Sequence, residues 1–328
     1  MLRTALPKLS QIQRPIRHRL DGVLDELRRI VLSDFPAIEE VNEYLLAARG
    51  KLFRPTLLLL SNEVGGRGRG EAVTLAALVE LVHLATLVHD DAVDHSVLRR
   101  GMPTVNALWN HQSAIIMGDY LYSRSVMELT AFGEVELIRV LSRAANAMSV
   151  GEMRQLVSCD ALSFTEEEYY RLIDCKTASL MSAACEMGAL VGAPEYRAQL
   201  ARFGHQLGMA FQVIDDLLDY TETEAVTGKP SGHDLREHKV TLPLIAALAE
   251  MGPGHRREVE EFFAEPEPTD DGIARIVELV TNYGGLEYAR QRADAFGTEA
   301  ATALIGLPTS AAVESLHDAV SYVLGRRH

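Results

Sequence analysis

From Glu71 to Val88 the chain runs apolar at helical spacing, interrupted by Glu80 and His83, and then ends in three carboxylates, Asp90, Asp91 and Asp94. At 3.6 residues per turn Asp90 and Asp94 share a face, about 6 Å apart along the axis, with Asp91 beside them. The segment Arg99-Arg100-Gly101-Met102-Pro103 stops the helix soon afterwards. The carboxylates therefore crowd the negative end of the helix dipole, each unfavourable by about 0.3–1 kcal/mol, with nothing local to offset it. A cation is the natural partner, and oxygen ligands with room for water suit Mg2+. One such cluster also fits a solvated acidic helix end. The pattern returns, however, in Phe211-Gln212-Val213-Ile214-Asp215-Asp216-Leu217-Leu218-Asp219, again after an apolar helical run and before a loop carrying Gly228-Lys229-Pro230. Two acidic walls facing each other would hold several Mg2+ ions, and those ions a diphosphate.

Helical periodicity dominates elsewhere, and strand alternation is nearly absent. Helices are expected over 11–32 and 37–48, from Lys51-Leu52-Phe53-Arg54-Pro55 through Leu60, around Val105–His111, from Ser113 past Glu128 and over 134–157. A capping box, Thr165-Glu166-Glu167-Glu168, starts another that runs to about Val191. The second acidic helix spans 195–219, and a further helix opens at Thr241-Leu242-Pro243. Three amphipathic helices follow from Asp270, separated near Gly284-Gly285 and Gly306-Leu307-Pro308. No linker marks a boundary, so residues 1–328 are expected to form a single all-α domain, a dozen or so helices bundled around a central cavity.

Hydrophobic residues make up 47% of the chain, ample for a core, and the net charge of −14 argues against nucleic acid as a partner. Cys159, Cys175 and Cys185 share no metal-ligand spacing and suit reduced thiols in a cytoplasmic protein. The basic stretch 1–32 lacks the apolar core of a signal peptide. The apolar run over 72–88 approaches membrane length, but Glu80, His83 and the terminal Asp cluster make it a buried core helix, and no transmembrane segment is expected.

With both clusters and their basic neighbours in hand, the chain resembles the trans-isoprenyl diphosphate synthases, or polyprenyl synthetases. The likeness runs through Gly50-Lys51-x-x-Arg54-Pro55, His83, Asp90-Asp91-Ala92-Val93-Asp94 with Arg99-Arg100-Gly101, Gly118-Asp119 and Gly151-Glu152-x-x-Gln155. It continues through Lys176-Thr177, Phe211-Gln212 with the second cluster, Gly228-Lys229-Pro230 and Asp234-Leu235-Arg236-Glu237-His238-Lys239. The resemblance implies an isoprenoid-synthase-type helical bundle and a Mg2+-dependent condensation of isopentenyl diphosphate with an allylic diphosphate, using about three ions. It makes Asp90, Asp94 and Asp215 direct metal ligands, with Asp91, Asp216 and Asp219 close by. Arg99, Lys176, Gln212, Lys229 and Lys239 would grip the allylic diphosphate, with Thr177 helping at a helix kink. Lys51, Arg54, His83 and Arg100 would hold isopentenyl diphosphate without metal. Asp119 and Gln155 read better as ties between helices. Departures are slight: His238 stands where glycine often precedes the lysine, and Leu52 where a basic residue is common. A homodimer is implied by the resemblance, and a heteromeric partner fits the same residues.

The growing chain would lie along the first acidic helix, past Ala85 and Thr86, then Val82 and Leu81. Short-chain relatives usually carry a bulky aromatic four and five residues before the first Asp, where this chain has Thr86 and Ala85. Asp90 to Val82 is about 12 Å of helix, so a product of C30 or longer, of the quinone side-chain kind, is expected. Met127 and Phe132 are candidates for a floor that would shorten it to C15–C20. A class I terpene cyclase would carry a different second metal motif. A His-Asp phosphohydrolase would leave Asp215, Asp219 and Lys239 without a role, and a non-catalytic regulatory subunit should have lost its acidic clusters.

Overall fold

Proline and local periodicity cut this chain into helices, and the computed structural model describes residues 6–326 apart from 49, 67, 100, 158–160 and 222–231. Pro15 lacks an amide donor, and the segment expected as one helix over 11–32 is divided into α1 (Leu9–Ile12), a 3-10 turn (Arg14–Ile16) and α2 (Arg17–Val31). There follow α3 (Pro36–Ala47), α4 (Phe53–Glu63) and the first acidic helix, α5 (Ala72–Val93). A two-residue antiparallel hairpin, Leu98–Arg99 with Met102–Pro103, turns at Gly101, whose φ of +75° favours glycine. Next come α6 (Val105–Leu108), α7 (His111–Thr130), α8 (Val135–Val157) and α9 (Glu166–Ile173). The capping box forms: Thr165 N donates to Glu168 Oε2 at 2.8 Å and Glu168 N to Thr165 Oγ1 at 3.2 Å.

The helix expected from Thr165 to Val191 is interrupted by a π-helical turn, Asp174–Ala178, before α10 (Ser179–Gly192). The second acidic helix, α11 (Arg197–Thr221), precedes the short α12 (His233–Arg236), α13 (Leu242–Glu250), α14 (Pro253–Ala264), α15 (Asp270–Asn282), α16 (Gly285–Ala303) and α17 (Ala311–Leu324). α14 was not expected. It buries only Val259 and Phe262, too sparse a stripe to stand out in the sequence.

Backbone-to-backbone approaches set how the central helices stack. A Cβ at Gly188 of α10 would lie 2.2 Å from the Leu58 carbonyl oxygen of α4, and one at Gly204 of α11 2.6 Å from the Met181 carbonyl oxygen of α10. Only glycine permits this, and the α4–α10–α11 stack brings the start of α4, the π turn and the second acidic helix to one region. α5 packs against α2, α4, α7 and α10. It is long and apolar enough to cross a membrane, but its buried Leu75, Leu78 and Leu81 make it a core helix, each such side chain contributing about 1.5–3 kcal/mol. A second core, including Tyr220, Leu235, Phe262 and Ile273, joins the end of α11 to α12, α13, α14 and α15. A third, including Tyr169, Val213 and Ile214, packs α9 on α11.

Candidate active site

The last turn of α5 carries the first acidic wall. Asp91 is buried, and both its oxygens accept Arg99 Nε at 2.8 Å. The hairpin thus folds a guanidinium back onto the negative end of α5 and supplies the local offset that the sequence reading lacked. Loss of solvent pushes the Asp90 carboxyl up to about 6; the Lys176 ammonium opposes this, the charge of Glu152 adds to it, Arg99 opposes it and Asp94 adds to it. Asp94 Oδ2 lies 3.8 Å from Lys239 Nζ.

Lys176 sits in the π turn. Its ammonium pairs with Glu152 Oε2 at 2.5 Å and donates to Gln155 Oε1 at 2.9 Å, both on α8. Gly151 makes room for the turn, since a Cβ there would meet Cys175 Cβ at 2.8 Å. The next residue, Thr177, is buried, and its hydroxyl donates to Gln212 Oε1 at 2.7 Å. Gln212 Nε2 in turn donates to Asp216 Oδ1 at 2.8 Å, so the kink and the second wall share one network.

Within that wall, Asp216 is buried and also accepts the Tyr169 hydroxyl at 2.5 Å. Burial pushes its carboxyl up to about 7; the hydrogen bonds from Tyr169 and Gln212 oppose this, and the charges of Asp215 and Asp219 reinforce it. Asp219 accepts the backbone amides of His233 at 3.1 Å and Asp234 at 2.9 Å, which caps α12 and folds that segment back over the wall. Asp234, enclosed with Asp216 and Asp219, has its carboxyl raised well above the usual range by burial and by their charges. Lys239 Nζ donates to Glu237 Oε2 at 2.6 Å. Burial pulls against its charge, but Glu237, Asp94 and Asp234 hold the ammonium above its ordinary range. Asp215 is 50% exposed and pairs with Arg326 at 3.1 Å.

Lys51 and Arg54 open α4, and Gln13 Nε2 donates to the Lys51 carbonyl at 3.1 Å. Leu52 between them and His238 before Lys239 both hold left-handed backbone, with φ of 50° and 53°. The glycine common at the second position would reach that conformation without strain. His83 is half-buried on α5, about 10 Å along the axis from Asp90. Arg100 and Lys229 lie outside the described residues. Along α5, Leu81, Val82 and Ala85 are buried, whereas Thr86 is half-buried with its hydroxyl on the His83 carbonyl at 2.8 Å. Met127 is 61% exposed, so it does not floor a path inside this chain, while Phe132 packs against the main core.

The site therefore joins residues far apart in sequence. Lys239 bridges toward Asp94, and Lys176 stands between α8 and the network that reaches Asp216. The sequence reading gave no role to Tyr169, Glu152, Asp234 or Arg326. Glu152 and Asp234 lie within quoted motifs, but Tyr169 and Arg326 carry no local signal. Among the described residues no three His, Cys, Asp or Glu side chains converge as a ready metal cluster. Asp91, Asp94 and Asp215 are instead turned to internal cations. The donor set still fits a hard divalent ion: it is all carboxylate oxygen, and Asp90 and Asp216 resist ionising where they stand.

Two acidic clusters with Arg99, Lys176, Lys239 and Arg326 beside them on an all-α fold are the features of an isoprenoid-synthase-type prenyltransferase. The polyprenyl synthetase family profile matches residues 35–280, and the chain belongs to that family. Octaprenyl diphosphate synthase of Escherichia coli (strain K12) is 35% identical over 315 residues, 94% of this chain and 96% of that one. Heptaprenyl diphosphate synthase component 2 of Geobacillus stearothermophilus is 35% identical over 322 residues, covering 98% of this chain and 99% of that one. The crystal structure of polyprenyl synthase from Caulobacter crescentus CB15, complexed with calcium and isoprenyl diphosphate, superposes with a TM-score of 0.93 at 31% identity, covering 99% of each chain.

Proposed function

We propose that the chain condenses isopentenyl diphosphate head-to-tail with an allylic diphosphate to give an all-trans polyprenyl diphosphate of C30 or longer. The observation that carries this reading is the approach of Lys239, 20 residues beyond Asp219, to within 3.8 Å of Asp94, which ties the segment after the second cluster to the first. Asp90, Asp94 and Asp215, with Asp216 behind them, would hold Mg2+, about three ions as the family resemblance implies. Divalent ions there would neutralise the allylic diphosphate as its carbon–oxygen bond breaks.

The chain's own residues do the rest. Lys176 and Lys239 are ammonium donors held by Glu152, Gln155 and Glu237, and they meet the diphosphate oxygens as charge builds on them. Arg99, braced on Asp91, presents a fixed guanidinium to the same group. Gln212 and Thr177 brace the wall behind it. Lys51, Arg54 and His83 orient isopentenyl diphosphate, whose double bond attacks the allylic carbon. Loss of a proton to the departed diphosphate then restores an allylic product, so no protein base is needed. The tail extends past Thr86 and Ala85, which are too small to stop it after two or three units.

Assembly as a homodimer is part of the proposal. α7 exposes Ile115, Ile116 and Met127 and α8 exposes Val150, Met153 and Leu156, apolar side chains that a second copy would cover. The Geobacillus relative's designation as a component keeps a heteromeric synthase in view as the second reading. One assay tests the activity, the product length and the need for a different partner: the purified chain is incubated with Mg2+, labelled isopentenyl diphosphate and C10, C15 or C20 primers, and the products are sized. The expected result is Mg2+-dependent products of C30 or longer. Products no longer than C20 would refute the long-chain assignment, and incorporation only with an added protein would select the heteromeric reading.

A further inference from the structure

Arg326 lies two residues beyond α17 and reaches the second acidic wall from a different part of the fold than any other cation there. Its Nη2 donates to Asp215 Oδ1 at 3.1 Å, and its guanidinium carbon sits 4.3 Å from the centre of the Phe211 ring, one helical turn before Asp215. The side chain is only 11% exposed. The backbone around it is seated firmly. Arg290 Nη1 donates to the Leu324 carbonyl at 2.7 Å, and Gly325 lies so close to Leu6 that a Cβ would sit 2.4 Å from that side chain. Phe211 stacks on Phe53 of α4 at 5.8 Å, and Phe53 also meets Tyr322 of α17 at 6.0 Å. The arginine thus rests on an aromatic group that joins α4, α11 and α17.

For all that seating, the guanidinium is incompletely satisfied. Nε and Nη1 are buried without a hydrogen-bond partner among the described residues. A cation so placed holds its carboxylate through a single charged hydrogen bond and is itself steadied by the ring. A divalent ion would draw on the same carboxylate charge, and its own charge would repel the guanidinium beside it.

We propose that Arg326 is the built-in counter-cation of Asp215, competing with divalent metal for that carboxylate, so that metal at the second wall loosens the hold on Arg326. The proposal rests on the reading of Asp215 as a metal ligand. Arg99 and Lys239, which hold the first wall, remain within the site when their carboxylates turn to metal. Arg326 instead rests on Phe211, whose ring stacks on Phe53, and Phe53 lies between Lys51 and Arg54 in sequence. Metal loading is thereby coupled to the isopentenyl diphosphate side of the site, and by linkage the coupling acts in both directions.

The test measures Mn2+ affinity of the full chain from the free-ion electron paramagnetic resonance signal, with and without inorganic pyrophosphate. Wild type is compared with Arg326→Gln, Arg326→Lys, Asp215→Asn and the Asp215→Asn/Arg326→Gln double variant. Arg326→Gln should tighten Mn2+ binding about fivefold, which corresponds to about 1 kcal/mol, and should have no effect in the Asp215→Asn background. Arg326→Lys keeps the charge without the planar stack; it should fall between, and it carries the test where the glutamine variant does not fold. In wild type, Mn2+ with pyrophosphate should raise amide exchange over residues 320–326. Asp215→Asn that weakens Mn2+ while Arg326→Gln leaves it unchanged overturns the competition and spares the metal-ligand reading. Undiminished Mn2+ affinity in Asp215→Asn overturns both.

Discussion

Tyr169→Phe removes one hydroxyl from a fully buried position and tests how the second wall is charged. In the native protein that hydroxyl donates to Asp216 at 2.5 Å, and Gln212 supplies the other side-chain donor. Burial has already raised the carboxyl to about 7. A hydrogen bond to a charged acceptor contributes about 1.5–3 kcal/mol, and each 1.36 kcal/mol is about one pKa unit. The protonated form loses a neutral bond as well, so the charged form suffers about 1–1.5 kcal/mol more, and Asp216 should move up by about one further unit. The sign follows from linkage. A carboxyl raised on folding contributes stability that is fully present below its unfolded value, near 3.8, and is lost as pH rises through its folded value. In wild type that loss is complete just above about 7, whereas in the variant it continues about one unit higher. At pH ~5.5 Asp216 is mostly protonated in both proteins, and the variant should be less stable by only the neutral bond, about 0.5–1.5 kcal/mol. At pH ~8.5 the difference should grow to about 1.5–3 kcal/mol. Denaturant unfolding followed by circular dichroism in chelator at the two pH values measures it. The acid limb of Mg2+-dependent turnover should move up by about the same one unit, because a carboxyl must lose its proton to serve metal. Equal destabilisation at both pH values with an unmoved acid limb would refute the argument.

Other expectations follow from the packing. Thr86→Phe should shorten the product toward C15–C20 on chromatography with little loss of stability. Ala85→Phe should shorten it too, but at a further cost of about 1–3 kcal/mol, because Ala85 is 3% exposed within the core; unchanged product length in both would count against the path along α5. Gly188→Ala forces a Cβ to 2.2 Å from the Leu58 carbonyl oxygen, where backbone cannot yield, and should lower stability by about 3 kcal/mol or more in thermal or denaturant unfolding. At His238, with its φ of 53°, the glycine variant should be more stable than the alanine variant by about 1 kcal/mol. The opposite order would mean that the left-handed backbone carries no strain there.

Much of the helical framework is local, and local patterning carries it. The capping box at Thr165, the stop after Asp94 and the breaks at Gly284 and Gly306 depend on neighbours within one or two turns, which a sequence displays directly. The acidic clusters, with Lys51, Arg54, Lys176 and Lys239, are legible for the same reason: each is a short run with its own chemistry. Where contrast is low, as in α14 with its two buried side chains, or where one extra residue enters a turn, as at Asp174–Ala178, periodicity gives no warning.

Which carboxylate does what is a different kind of fact. Asp90, Asp91 and Asp94 look alike on the page, and so do Asp215, Asp216 and Asp219. Folding makes Asp91 the brace of Arg99, Asp219 the cap of α12 and Asp216 the partner of Tyr169, while Asp94 and Asp215 stay at the surface of the walls beside Lys239 and Arg326. The same packing turns Met127 outward and sets Arg326 over Phe211. Residues 47 positions apart, like Tyr169 and Asp216, or 111 apart, like Asp215 and Arg326, meet because helices pack on one another. Burial and pairing are properties of that packing, so the sequence specifies the chemical groups and the tertiary structure assigns their charges and partners.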